Sequence, residues 1–153
     1  MHEENFSKKA KTIVFRLLNI RQYSEKELRD KLRNKNIPVE TIESTLRYFK
    51  ELALIDDDQF AKKWISFRLS RPFGLKRIRF ELIGKGISND IIEREIEEAT
   101  SDYPESEIVT AIARKQLLKY KNIDPTKAKQ RLYGYLLRRG FSGTVIKKVI
   151  HNL

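Results

Sequence analysis

The chain has 153 residues, with 32 Lys and Arg against 21 Asp and Glu, a formal net charge of +11 and an isoelectric point near 9.8. It has no cysteine, which excludes disulfides, thiol catalysis and cysteine-ligated zinc and fits a reducing compartment. No apolar run nears the roughly 18 residues of a membrane helix, the acidic, polar start at Met1–Asn5 is the wrong flank for a secretory signal, and the charge directs attention to an anionic partner: nucleic acid, an acidic protein or a membrane surface.

Taken in chain order, the first pattern is Phe6, Ala10, Ile13, Val14, Leu17 and Leu18, which fits a 3.6-residue period and predicts a helix. Ser24-x-x-Glu27 reads as a capping box opening a second helix, whose apolar face holds Leu28 and Leu32. Asn36 stands where that helix must stop, Ile37 packs back on it, and Pro38 opens a third helix with Ile42 and Leu46 on its inner face. Asp56-x-x-Gln59 starts a fourth helix through Phe60, Ala61, Trp64, Ile65 and Arg68, with Trp64 expected in the core. After a loop around residues 70–75, Ile78 and Leu82 mark a fifth helix ending at Gly86, followed by Ile87 and a sixth through Ile92 and Ile96. Beyond a second loop around residues 100–105, Pro104 opens a seventh helix through Ile108, Ile112, Ala113 and Leu117. Asp124 and Pro125 open an eighth, which holds Leu132 and Leu136 and ends at Gly140; Ser142 opens a ninth through Ile146 and Ile150. No β-branched alternation and no Asn-Gly or Asp-Gly turn argues for strands.

These elements repeat. Leu28, Leu32, Asn36, Ile37, Ile42 and Leu46 align without gaps on Ile78, Leu82, Gly86, Ile87, Ile92 and Ile96, and on Leu132, Leu136, Gly140, Phe141, Ile146 and Ile150. The fold expected is all-α: three tandem three-helix, helix-turn-helix-like repeats at 1–54, 55–103 and 104–153, stacked as an elongated, curved array.

Charge divides unevenly among them, with net values of +4, −1 and +8 in chain order. It concentrates on the second helix of each repeat. Lys31 and Lys35 lie on the first such helix; Lys76, Arg77, Arg79 and Lys85 on the second; Arg138 and Arg139 close the third. The position of Lys35, Lys85 and Arg139 is basic in every copy. For a single residue, a solvated helix end whose dipole favours a cation is explanation enough. Recurrence across three copies argues instead for a basic stripe, joined by Arg68 of the fourth helix. Aromatics interleave with it: Trp64, Phe67, Phe73 and Phe80 near Arg68, Arg71 and Arg77, and Tyr133 and Tyr135 near Arg138. Both tyrosines fall off the Leu132–Leu136 face, so at least one is expected exposed.

Catalytic signals are weak. His2 and His151 stand at opposite ends without partners at metal-ligand spacing. Gly84-Lys85-Gly86 lacks the upstream glycine and strand of a phosphate loop, since Arg79 stands where that glycine belongs. Asp56, Asp57 and Asp58 suit a first helical turn, where acids complement the dipole. No catalytic, cofactor or metal residue is assigned. A recognition helix in each repeat is also disfavoured, because the sixth helix carries Glu93, Glu95, Glu97 and Glu98, which phosphates repel.

The succession Leu54-Ile55-Asp56-Asp57, Phe60-Ala61, Trp64, Arg68, Gly74, Ile78, Glu81-Leu82 and Lys85-Gly86-Ile87 resembles the RecX family. So do Ser24-x-x-Glu27-Leu28-x-x-Lys31-Leu32 ahead of it and Leu137-x-Arg139-Gly140-Phe141 behind, with Asn36 where the family usually has glycine. The resemblance implies a bacterial cytoplasmic regulator of the RecA recombinase, not an enzyme. Such a protein binds RecA–DNA filaments and commonly inhibits them in DNA repair, recombination and the SOS response. It implies RecA and DNA as partners; no membrane and no cofactor are expected, and a monomer is the simplest expectation for the oligomeric state. The alternatives are an autonomous DNA-binding helical-repeat protein and an adaptor for an unrelated acidic protein.

Overall fold

The computed structural model describes residues 1–153. It is all-helical: α1 (His2–Leu18), α2 (Glu25–Asn34), α3 (Val39–Glu51), α4 (Asp57–Leu69), α5 (Leu75–Gly84), α6 (Asn89–Thr100), α7 (Glu105–Leu117), a 3₁₀ turn (Leu118–Tyr120), α8 (Pro125–Arg138) and α9 (Gly143–His151).

Local chemistry sets the ends of these helices. Ser24 Oγ accepts from the Glu27 N–H at 3.2 Å while Glu27 Oε2 accepts from the Ser24 N–H at 3.1 Å, so the capping box is complete. Asp56 Oδ1 accepts from the Gln59 N–H at 3.2 Å, and Asp124 and Ser142 cap α8 and α9. Pro125 is the first residue of α8, but Pro38 and Pro104 stand one place earlier, as the N-caps of α3 and α7. At Pro38 the reason is the tight turn before it: its backbone is extended (ψ 144°) as it leaves that turn, and helical geometry begins only at Val39.

That turn is the same in all three repeats. The residue past each second helix has positive φ: Asn36 at 60°, Gly86 at 79° and Gly140 at 93°. The next N–H reaches back five residues, from Ile37 to Leu32 O, Ile87 to Leu82 O and Phe141 to Leu136 O, at 3.1–3.2 Å. This is the Schellman arrangement, which satisfies carbonyls that the helix end strands. Its following apolar residue is buried each time. A fourth copy ends α3, where Leu54 N–H bonds Phe49 O and a non-glycine residue, Ala53, takes φ 57°.

The chain forms two compact units, residues 1–63 with 82–93 and residues 64–81 with 94–153. In the first, Ala10, Val14, Leu28, Leu32, Ile42, Leu46 and Phe49 form a core lined further by Phe6, Ile13, Leu17 and Leu18. In the second, Val109, Ala113, Leu132, Leu136, Phe141, Ile146 and Val149 do the same, with Tyr133 and Tyr135 packed on the edge. Of the middle repeat, Phe60, Ala61, Ile65, Ile78, Leu82, Ile87, Ile92 and Ile96 are buried.

Each unit contains a joint between consecutive repeats, built from matching positions. In the first, the Ser24 hydroxyl donates to Lys85 O at 2.7 Å, and Gly86 lies against the Lys26 side chain. In the second, the Gly74 N–H donates to Arg139 O at 2.7 Å, the Lys76 N–H donates to Gly140 O at 3.1 Å, and Gly140 lies against Arg77. A Cβ on Gly74 would collide with the Gly140 carbonyl, whereas one on Gly84 meets nothing within 4 Å.

Two substitutions follow from this packing. Gly74→Ala should cost about 1–3 kcal/mol through overpacking against backbone, and Gly84→Ala should change stability by less than about 0.5 kcal/mol; urea unfolding reads both. Ala53→Gly should gain about 1 kcal/mol by relieving a left-handed non-glycine residue, seen as a higher urea midpoint at unchanged slope.

Candidate functional site

The basic residues singled out above fall into three settings. Lys31 and Lys35 are exposed on and just beyond α2. Lys85 is half-buried and engaged: its Nζ lies 2.7 Å from Glu27 Oε1 and 5.8 Å from the centre of the Phe60 ring. Glu27 also accepts from Arg21 at 3.1 Å. Burial opposes ionisation of Glu27, but the bonds from Lys85, the Ser24 N–H and Arg21 together outweigh it and hold its carboxyl below its ordinary value of 4.5. Lys85 is thus the ionic partner of the capping box of the preceding repeat, whereas Lys35, at the matching position, is exposed.

Arg68, Arg77, Arg138 and Arg139 come together in the second unit. The loop between α4 and α5 presents the half-buried Phe73 ring, and three guanidinium groups lie over it: Arg68 and Arg77 each at 4.5 Å from its centre and Arg139 at 5.1 Å. Arg139 also lies 5.1 Å from the Tyr135 ring. Glu81 orders two of the three, accepting from Arg68 Nε at 2.8 Å and Arg77 Nε at 3.3 Å. Its Oε2 accepts from Trp64 Nε1 as well, at 2.9 Å, so Trp64 is half-buried at the edge of the helix pair and not in the core. Arg77 donates to Arg138 O at 3.4 Å. Phe73, Arg77, Tyr135, Arg138 and Arg139 line a cleft of about 400 Å³ with no carboxylate in its wall. Lys76 is exposed and Arg79 is half-buried.

The arrangement suits an oxyanion. Guanidinium groups are planar, always charged and present paired donors that match phosphate and carboxylate oxygens. Stacked on Phe73 and Tyr135, they lose less side-chain freedom on binding than free arginines would. The aromatic–arginine interleaving of the sequence hinted at this cleft. The meeting of Tyr135 with Phe73 and Arg77 did not show, because they lie in separate repeats; nor did the role of Glu81, whose partners Trp64 and Arg68 stand on another helix of its own repeat.

A second cationic groove runs between α8 and α9, about 650 Å³ in volume, with Lys129, Lys147 and His151 around Tyr133. Neither Tyr133 nor Tyr135 is fully exposed; each is half-buried and lines a different groove. Packing on the core edge, not freedom, sets their orientation.

Three family models match in order along the chain: RecX, first three-helix domain, over residues 10–49; RecX, second three-helix domain, over 56–95; and RecX, third three-helix domain, over 104–150. The regulatory protein RecX of Chlorobium phaeobacteroides is 35% identical over 147 residues, covering 95% of this chain and 94% of that protein. The regulatory protein RecX of Clostridium perfringens is 32% identical over 146 residues, covering 95% of this chain and 68% of the relative. The crystal structure of RecX from Lactobacillus salivarius superposes with a TM-score of 0.84 at 24% identity, covering 98% of this chain and 97% of that one.

The two lysines at matching repeat positions should respond differently to removal. Lys85→Ala, which takes the ion-pair partner from Glu27 Oε1 while Oε2 keeps Arg21 and the Ser24 N–H, should cost about 1–3 kcal/mol, and Lys35→Ala less than about 0.5 kcal/mol. Because the folded state depresses the Glu27 pKa, the contribution of this pair is full above the ordinary value of 4.5 and is lost as pH falls through the lower folded value. The stability gap between wild type and Lys85→Ala should therefore shrink on acidification. Asp57 has the opposite sign, since burial outweighs its bond from the Glu25 N–H and pushes its pKa up, but it is common to both proteins. Urea midpoints from pH 7 down to about pH 3 measure the gap; a constant gap would contradict the assignment.

Proposed function

The chain belongs to the RecX family, and from that membership we propose that it is a regulatory protein that binds filaments of the RecA recombinase on DNA and restrains their activity in repair, recombination and the SOS response. The observation that carries the reading is the arginine-lined cleft on Phe73. A recombinase filament is a protein polymer wrapped on a polyanion, so both phosphates and carboxylates are within reach of one such surface. Arg77 and Arg139 act as donors pre-oriented on the aromatic rings, Arg138 lines the same cleft, and Lys76, next to Arg77 in the chain, is exposed. Lys31 and Lys35 add a second basic patch on α2. Action is by association, with no bond made or broken, and it takes place in the cytoplasm with the protein as a monomer.

The test is RecA-dependent ATP hydrolysis on single-stranded DNA with added protein. The rate should fall as the protein approaches stoichiometric amounts. A Lys76→Glu, Arg138→Glu double variant, changed only at exposed positions, should need about ten times more protein or more for the same effect, as charge reversal at a complementary interface does, at unchanged melting temperature. No effect of the wild type on the cognate recombinase would overturn the reading.

The groove between α8 and α9 favours a second reading, autonomous binding to naked DNA through Lys129, Lys147 and His151. It predicts an affinity for duplex that falls with salt at about −0.9 log units per log unit for each phosphate neutralised. A flat salt dependence removes it.

A further inference from the structure

Every cleft named so far is cationic and lies in the second unit. The first unit carries a groove of different chemistry, and its argument does not depend on the proposed function. It runs between α1 and the C-terminal turn of α3, with a volume of about 510 Å³. Four large apolar side chains line it while remaining open to solvent: Phe15 is 56% exposed, Tyr48 43%, Leu52 50% and Leu54 45%. Buried Phe49 forms its floor, edge-on to the Tyr48 ring at 5.1 Å. Scattered exposed apolar residues are ordinary, but four around one concavity are the mark of a binding surface.

The backbone singles out the same place. In the three Schellman turns that follow the second helices, the apolar residue after the left-handed one is buried on its own helix: Ile37, Ile87 and Phe141. The turn that ends α3 has the same hydrogen bonds, yet Leu54 at the equivalent position is held out at the groove. It also places Ala53, not glycine, in the left-handed region. Strain of this kind persists where the surrounding structure fixes a surface.

The rim decides what fits. Lys11 lies 4.1 Å over the Tyr48 ring and Arg16 extends from the last turn of α1, and no carboxylate lines the groove. We propose that this groove docks an acidic amphipathic helix of a partner protein, with large apolar anchors one turn apart set into Phe15, Tyr48, Leu52 and Leu54 and Asp or Glu side chains facing Lys11 and Arg16. Helix-in-groove recognition uses this combination of an apolar stripe and complementary flanking charge.

The probe is a synthetic fluorescein-labelled helix of about 16 residues, with Leu or Phe at i, i+4 and i+7 and Glu on both flanks of the stripe. It is titrated into the full ¹⁵N-labelled chain. Amide shifts should concentrate at residues 11–19 and 48–54. Phe15→Glu and Leu54→Glu should each weaken binding about 10-fold or more, as loss of an anchor does. Phe80→Glu, at an exposed phenylalanine outside the groove, should leave it unchanged, and melting curves check that every variant folds. Arg16→Glu should weaken the acidic probe and strengthen one with Lys in place of Glu. Absence of binding, equal affinity for the Lys probe, shifts mapped elsewhere, or self-association of the chain that Phe15→Glu abolishes would each overturn the proposal.

Discussion

A helix that ends strands its last carbonyls, and they must find donors beyond the helix. In the second and third repeats, the C-cap carbonyl of the second helix finds its donor in the repeat before it. Lys85 O takes the Ser24 hydroxyl and Arg139 O takes the Gly74 N–H, both at 2.7 Å. Ser24 and Gly74 are corresponding positions, as are Lys85 and Arg139. The joint is therefore a repeated feature in its own right. Positive φ belongs to the turn itself, since Asn36 and Ala53 share it; what the joint adds is the side chain of the preceding repeat packed against Gly86 and Gly140, where a Cβ would collide. Asn36, at the first turn, is exposed and carries a side chain at the same positive φ.

The same constraint sorts the basic residues. A cation just past a helix end is favoured by the dipole wherever it occurs, and Lys35, Lys85 and Arg139 share that position. Their consequences differ with what the joint brings near. Lys85 meets a carboxylate, Glu27, and closes an ion pair. Arg139 meets the rings of Phe73 and Tyr135. Lys35 is exposed. Neutralised at one joint and gathered over an aromatic platform at the other, positive charge becomes available to a ligand chiefly where guanidinium groups outnumber the single carboxylate, Glu81. The cleft is thus a by-product of joining two repeats.

What could be read from the sequence is what depends on neighbours along the chain. The nine helices, the three Schellman turns and the Ser24 capping box rest on spacings of a few residues, and the aligned repeats reinforce each one. The family was legible for the same reason, in the succession of short motifs. Contacts between repeats were not. The Glu27–Lys85 pair spans 58 residues and the Arg77–Arg138 bond spans 61, and nothing local marks them. Trp64 was expected in the core from its periodicity, but its indole N–H needs an acceptor, and Glu81 supplies one at the edge. Pro38 and Pro104 were displaced by one position because proline suits the extended residue before a helix as well as its first turn. The groove of the first unit left no trace, since Phe15, Leu52 and Leu54 lie on helices and turns that already had an apolar face.

The central claim is that the arginine-rich surface is matched to an assembled recombinase filament and not to DNA as such. Direct titration of the labelled protein against naked single strand, naked duplex and RecA filament on the same single strand, all at one salt concentration, tests it. The account predicts binding to the filament at least about tenfold tighter than to either naked DNA, a gap of about 1.4 kcal/mol. Equal or tighter binding to naked DNA would contradict it.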